Sequence, residues 1–188
     1  MIFWLIHFGI SNIVTYGSAV QIKGFFTKNR ITIEINQTSL LPVILCKRPP
    51  YNDGWYWIVD PINESHDVFR QEVRCGDFIK LHNSLYPFYL TVGDESQQRI
   101  SASKIPKSEY QQQWEVICDG KDEYWTQDTV VQFYNNEENC YVQSGFKNNL
   151  GNDVEQTFEV LCEKKPSKET QWRASEGIYF GSESISEN

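Results

Sequence analysis

The chain has 188 residues and a mass of 22.0 kDa, room for one domain with a substantial core. Hydrophobic residues make up 40% and aromatics 14%, enough apolar surface to offset ordering entropy and to exclude global disorder. With 25 acidic against 17 basic side chains the formal net charge is -8, which repels phosphate backbones and argues against nucleic acid as a partner. No apolar run approaches the ~20 residues that a membrane-spanning helix needs, so no span is expected in the mature chain.

The one strongly apolar stretch is Met1 to Ile10, followed by Ser11 and Asn12. It reads as a signal peptide over residues 1–12, with small residues at Gly9 and Ser11 suited to cleavage near Ser11-Asn12; a buried N-terminal strand is the alternative. The sequons Asn36-Gln37-Thr38 and Asn63-Glu64-Ser65 make Asn36 and Asn63 glycosylation candidates and fit a secretory route.

Strand signals dominate the rest of the chain. Short runs rich in β-branched and aromatic residues recur at Ala19–Ile22, Ile31–Ile35, Phe78–Leu81, Phe88–Val92, Thr129–Phe133, Cys140–Val142 and Phe158–Leu161. Polar turn clusters such as Asn52-Asp53-Gly54, Gly93-Asp94-Glu95 and Asn148 to Asp153 separate them. No segment carries a helical period of useful length, so the expected class is all-β.

The informative feature is an internal repeat. Segments beginning at Tyr16-Gly17-Ser18, Cys75-Gly76-Asp77 and Thr126-Gln127-Asp128 each lead into a strand, and each unit closes on a tryptophan: Trp57, Trp114 and Trp172. Counted from Gly17 to Gly76 to Gln127, the periods are 59 and 51 residues, each with room for four strands. Three such units, none able to cover its own apolar face, make a sound core only when closed around a common axis. The expected architecture is a β-trefoil, six barrel strands capped by three hairpins. A two-sheet sandwich is the alternative, but it does not place a Trp at the same point of three units. Core packing is the favoured role of the three indoles, ahead of ligand stacking. Gln112-Gln113-Trp114 matches the QxW pattern of sugar-binding trefoils in one repeat only.

Val14-Thr15-Tyr16-Gly17-Ser18, Val73-Arg74-Cys75-Gly76-Asp77 with Ile79-Lys80-Leu81-His82, Trp114-Glu115-Val116-Ile117-Cys118, Val130-Val131-Gln132-Phe133, and Trp172-Arg173-Ala174-Ser175-Glu176-Gly177-Ile178-Tyr179 form an ordered set. In order and approximate spacing it resembles the stromal cell-derived factor 2 family of MIR-domain proteins over roughly residues 13 to 180. The resemblance implies three MIR repeats, about 13–68, 72–120 and 123–180, with a flexible tail over 181–188. It implies residence in the endoplasmic reticulum lumen and no catalytic activity. It also implies work as a subunit of a J-domain co-chaperone and Hsp70 system on unfolded client proteins. A glycan-binding, lectin-like trefoil of the secretory pathway is the alternative function.

The departures from that family are concentrated in the hairpins. Its Leu-His-Ser-His element and Gly-Ser-Gly-Gln-Gln stretch are replaced in repeat one by Ile31 to Leu45, and repeat two also lacks the family's histidines. Any binding there falls to Tyr86, Phe88, Tyr89, Gln97, Gln98 and Arg99. The chain ends Ser184-Ile185-Ser186-Glu187-Asn188 where family members often carry a retrieval tetrapeptide, so retention by a partner, or secretion, is expected.

The five cysteines have no CxxC spacing, and His7, His66 and His82 are scattered, so neither a zinc site nor any other cofactor is expected. In an oxidising compartment two disulfides plus one thiol is the natural arithmetic. Trefoil geometry pairs Cys140 with Cys162 across the repeat-three hairpin and Cys75 with Cys118 at the ends of neighbouring barrel strands, leaving Cys46; buried free thiols are the alternative. The carboxylates at Asp94-Glu95, Asp119, Asp122-Glu123 and Glu137-Glu138 sit in polar turn-like stretches rather than facing pairs. An enzyme is therefore not expected.

Overall fold

Alternation of buried and outward side chains is clearest in β5, Phe78–Asn83, where Ile79, Leu81 and Asn83 point inward and Phe78, Lys80 and His82 outward. The computed structural model describes residues 12–48, 53–63, 68–93, 99–105, 108–127, 129–147 and 157–180. The signal peptide expected at 1–12 lies outside these save for Asn12, and the tail at 181–188 lies wholly outside. Among the described residues there are twelve strands. The first unit holds β1 (Ala19–Gly24), β2 (Arg30–Ile35), β3 (Pro42–Lys47) and β4 (Tyr56–Pro61). The second holds β5, β6 (Tyr89–Val92), β7 (Ile100–Ser103) and β8 (Trp114–Cys118). The third holds β9 (Val131–Asn135), β10 (Cys140–Lys147), β11 (Thr157–Glu163) and β12 (Trp172–Ile178). Among the described residues the remaining regular structure is short 3₁₀ turns, so the chain is all-β.

The pairings close on themselves. β1 pairs with β4, β4 with β5, β5 with β8, β8 with β9, β9 with β12, and β12 returns to β1, all antiparallel. This six-stranded barrel is built from the first and fourth strand of each unit, and it has no free edge. The second and third strands form the hairpins β2–β3, β6–β7 and β10–β11. The hairpins also touch one another: β3 pairs with β11, and Arg99 bridges to Leu161. The architecture is a β-trefoil.

Two sets of hydrogen bonds define its pseudo-threefold axis. The Val14 N–H donates to the Trp125 carbonyl at 2.8 Å, Trp125 N–H to Val73 at 2.9 Å, and Val73 N–H to Val14 at 2.9 Å, a closed ring of main-chain bonds among three fully buried residues. Outside it, Tyr16, Cys75 and Gln127 donate to Gln71, Glu123 and Asn12. The second set belongs to the indoles. Trp57 Nε1–H donates to the Ile31 carbonyl at 3.1 Å, Trp114 to Leu90 at 3.0 Å and Trp172 to Val142 at 2.8 Å. Each fully buried indole thus ties the last strand of its unit to the second strand of the same unit. These three buried donors are thereby met, where an unmet one in the core costs about 1–3 kcal/mol.

The turn before each first strand repeats as well. Ser18 Oγ accepts from Thr15 N–H, Asp77 Oδ2 from Arg74 N–H, and Thr129 Oγ1 from Thr126 N–H. These positions set spacings of 59 and 52 residues (18 to 77 to 129), one residue more in the second interval than counting to Gln127 suggests. Thr129 belongs to this turn rather than to β9, which begins at Val131, because its main-chain N–H donates to the Thr126 carbonyl at 3.2 Å.

Cys75 and Cys118 are bonded, with Cα atoms 5.5 Å apart, where the segment leading into β5 meets the end of β8. Cys140 and Cys162 are bonded across the β10–β11 hairpin at 5.3 Å. Both pairings agree with the trefoil expectation, and on the chain-entropy model each contributes roughly 3–4 kcal/mol. Cys46 is the remaining thiol, buried in β3; burial pushes it up from its ordinary 9.0 to about 12, against a small downward pull from the Ser144 hydroxyl.

The packing sets the cost of two glycine substitutions and the reactivity of one thiol. A Cβ at Gly177 would overlap the Ala19 carbonyl oxygen across the β1–β12 bulge, whereas one at Gly76, at φ +95°, would meet open space. Gly177→Ala is therefore expected to lower stability by about 2–4 kcal/mol and Gly76→Ala by about 1–2 kcal/mol in urea melts. Cys46 should resist a thiol reagent in the folded protein and take one label per chain on denaturation under non-reducing conditions. Its proton is held more tightly folded than unfolded. The resulting contribution to stability is constant below pH 9.0 and declines as pH rises from there toward 12.

Candidate functional site

The residues singled out in repeat two are organised by Asn83, the buried last residue of β5. Its Nδ2 donates to the Gly54 and Tyr56 carbonyls at 3.0 and 3.2 Å, anchoring it to repeat one. Its Oδ1 accepts from Leu85 N–H and Tyr86 N–H, both at 3.1 Å, and its own N–H donates to the Phe88 carbonyl. One amide therefore shapes the whole connection from β5 to β6. Asn135 does the same in repeat three, donating to Tyr110 and Gln113 and accepting from Glu138. Gly24 occupies the corresponding place opposite Trp172 in repeat one, where no amide is available.

Held this way, Tyr86 and Phe88 pack part-buried against the core, and the Lys104 ammonium stands 5.3 Å from the centre of the Phe88 ring. Tyr89 faces outward in register with His82, the two rings 5.7 Å apart. His82 Nδ1 is hydrogen-bonded to the Asp60 carboxylate of β4, and both side chains are about a quarter to a third exposed. The carboxylate fixes the ring orientation and marks Nδ1 as the donor, leaving Nε2 for another partner. Asp60 is also in register with Lys80. The outer face of β4, β5 and β6 thus presents a carboxylate, an imidazole, an ammonium and a phenol ring together.

Arg99 does not join this group. It lies at the start of β7's side of the hairpin, 53% exposed, and pairs with Glu159 of β11 at 3.0 Å, which ties two hairpins together. Gln97 and Gln98 lie outside the described residues. Sequence reasoning passed over Asp60. The signal for it was its place two residues after Ile58 on the strand that closes the first unit, which the structure pairs with the strand carrying His82.

The glycosylation candidates are both exposed. Asn36 sits at the tip of β2–β3, its Oδ1 accepting from Thr38 and Ser39 N–H at 2.9 and 3.0 Å, and Asn63 follows β4. Among the described residues no group of three or more His, Cys, Asp or Glu side chains is placed to hold a metal ion, and no helix is long and apolar enough to cross a membrane. Gln112 of the QxW stretch is buried beneath a 3₁₀ turn, Glu109–Gln112, rather than offered to solvent.

No protein-family model matches the chain. Stromal cell-derived factor 2 from Bos taurus is 27% identical over 114 residues, 57% of this chain and 53% of that protein, so the match spans about half the length of the curated relative. The crystal structure of the SDF2-like protein from Arabidopsis thaliana superposes with a TM-score of 0.78 at 21% identity, covering 91% of this chain and 99% of that one. The BEL β-trefoil superposes with a TM-score of 0.59 at 10% identity, covering 87% of this chain and 96% of that one. In sequence the chain is similar to stromal cell-derived factor 2, and in fold it is a β-trefoil like that of the SDF2-like protein.

Proposed function

We propose that this trefoil is a non-catalytic MIR-repeat protein of the endoplasmic reticulum lumen, working as a subunit of a J-domain co-chaperone and Hsp70 system that handles unfolded clients. The likeness to stromal cell-derived factor 2 brings the chain to that class of work. The observation that carries the reading is the exposure of aliphatic side chains in the connections outside the barrel. Leu40 and Leu41 at the β2–β3 tip are 75% and 63% exposed, Leu85 between β5 and β6 is 51%, and Ile105 after β7 is 87%. None of them is spent on the core, and each offers an apolar contact to an extended hydrophobic segment of a client.

Four of the cysteines are consumed in disulfides and the fifth is a buried thiol held protonated, so no nucleophilic sulfur faces solvent among the described residues. The two disulfides also favour an oxidising compartment.

A second reading, glycan binding, is favoured by one specific observation: the Asp60, His82 and Tyr89 group offers a carboxylate acceptor, an imidazole and an aromatic face, the chemistry that orients a hexose.

A pull-down from lumenal extract is expected to recover a J-domain protein, and the chain together with that protein should slow aggregation of a denatured reporter. Replacing Leu40, Leu41, Leu85 and Ile105 together by Ser is expected to weaken that protection at least about threefold with little change in thermal stability, since each side chain is already in water. A glycan-array signal abolished by Tyr89→Ala, with no J-domain partner recovered, would reverse the order of the two readings.

A further inference from the structure

On a chain of net charge -8, cations gather at one end of the β1–β12 pair. Lys23 of β1 stands directly opposite both Arg173 of β12 and Arg30 of β2. Like charges in register repel and are ordinarily avoided. Arg30 is answered by Glu176 at 3.4 Å, and Glu34 on the same strand is taken by Lys47 at 2.6 Å. Among the described residues no carboxylate lies within 4.0 Å of the charged nitrogens of Lys23, Lys28, Lys168 or Arg173. Glu169, exposed beside Lys168, is the other acidic residue of these elements.

Three of these cations are held over aromatic faces instead. The Arg173 guanidinium lies 4.5 Å and the Lys28 ammonium 5.0 Å from the centre of Phe25, and the Lys168 ammonium 5.3 Å from that of Phe26. Phe25 and Phe26 meet edge to face at 5.0 Å, and Phe26 is 47% exposed. Phe25 N–H donates to the Gln171 carbonyl at 2.8 Å, which fixes the pair against the turn that carries Lys168. Ring faces position cations but take none of their hydrogen bonds. Arg173 Nε is buried with no hydrogen-bond partner, and Lys28 gives one proton to the Phe25 carbonyl at 2.5 Å.

We propose that the Phe25–Phe26 face, rimmed by Lys23, Lys28, Lys168 and Arg173, is a docking surface for an acidic polypeptide segment with apolar side chains between its carboxylates. The cations surround an apolar pair rather than lining a row, so the partner must offer carboxylates and a hydrophobic contact over a short span. An extended polyanion, whether sulfated polysaccharide or anionic bilayer, would reach past the patch into the negative remainder of the surface. The inference stands whichever of the two functional readings holds.

Fluorescence anisotropy with a labelled peptide of repeated Glu-Glu-Phe units tests it on the full chain. The peptide should bind, should bind about tenfold more weakly as repeated Gln-Gln-Phe, and should release as salt is raised. Lys28→Glu with Lys168→Glu should weaken binding at least about tenfold, while Lys121→Glu with Lys164→Glu, exposed elsewhere and equal in charge change, should leave it unchanged. Absence of binding, equal loss in the two double variants, or tighter binding of heparin fragments or phosphatidylserine vesicles that the Lys28 and Lys168 changes abolish, would overturn it.

Discussion

Val14, Val73 and Trp125 each donate a main-chain hydrogen bond to the next around the axis, and that ring can close only when all three repeats are in place. Two repeats alone would leave buried donors and acceptors without partners, at a cost of several kcal/mol. Cooperativity among the units is therefore built into the backbone, before any side chain is considered. The barrel adds to it, since every one of its six strands is paired on both sides and none can leave without opening two ladders.

The indoles extend that constraint outward. By bonding the fourth strand of a unit to its second, Trp57, Trp114 and Trp172 fasten each hairpin to its own part of the barrel. The hairpins are then free to differ at their tips and connections without loosening the core. The exposed leucines of repeat one, the Asn83-shaped connection of repeat two, and the basic aromatic face beside β1 all sit outside the barrel on this frame. Asn83, which binds repeat one as well as its own turn, serves both frame and surface.

Much of the frame is legible in the sequence because its determinants are large and periodic. Three tryptophans closing three units, and Gly17 and Gly76 at positive φ, mark equivalent positions that no unrelated packing would require. The disulfides agree with that architecture, since their partners lie at strand ends that a trefoil brings together. Trp125 is harder to read. It stands just before the Thr126 turn that opens the third unit, and only the closed ring shows that it shares the axis with Val14 and Val73. The surfaces are harder still, since Asp60 and His82 come from different repeats, and Phe25 meets Arg173 across nearly the whole chain. Net charge conceals the basic face altogether, because a sum over 188 residues carries no information about where the minority sign is placed.

Two disulfides and a buried thiol belong to a frame that carries apolar side chains outside its filled core. Everything on that frame depends on the closed axis. Amide hydrogen exchange at Val14, Val73 and Trp125, measured against the free energy of global unfolding, probes the axis most directly. The closed ring predicts that all three amides exchange only through complete unfolding, with one common free energy. Any one of them exchanging at more than about 1 kcal/mol below the global value would mean that a single repeat opens alone, and that the three are not locked together.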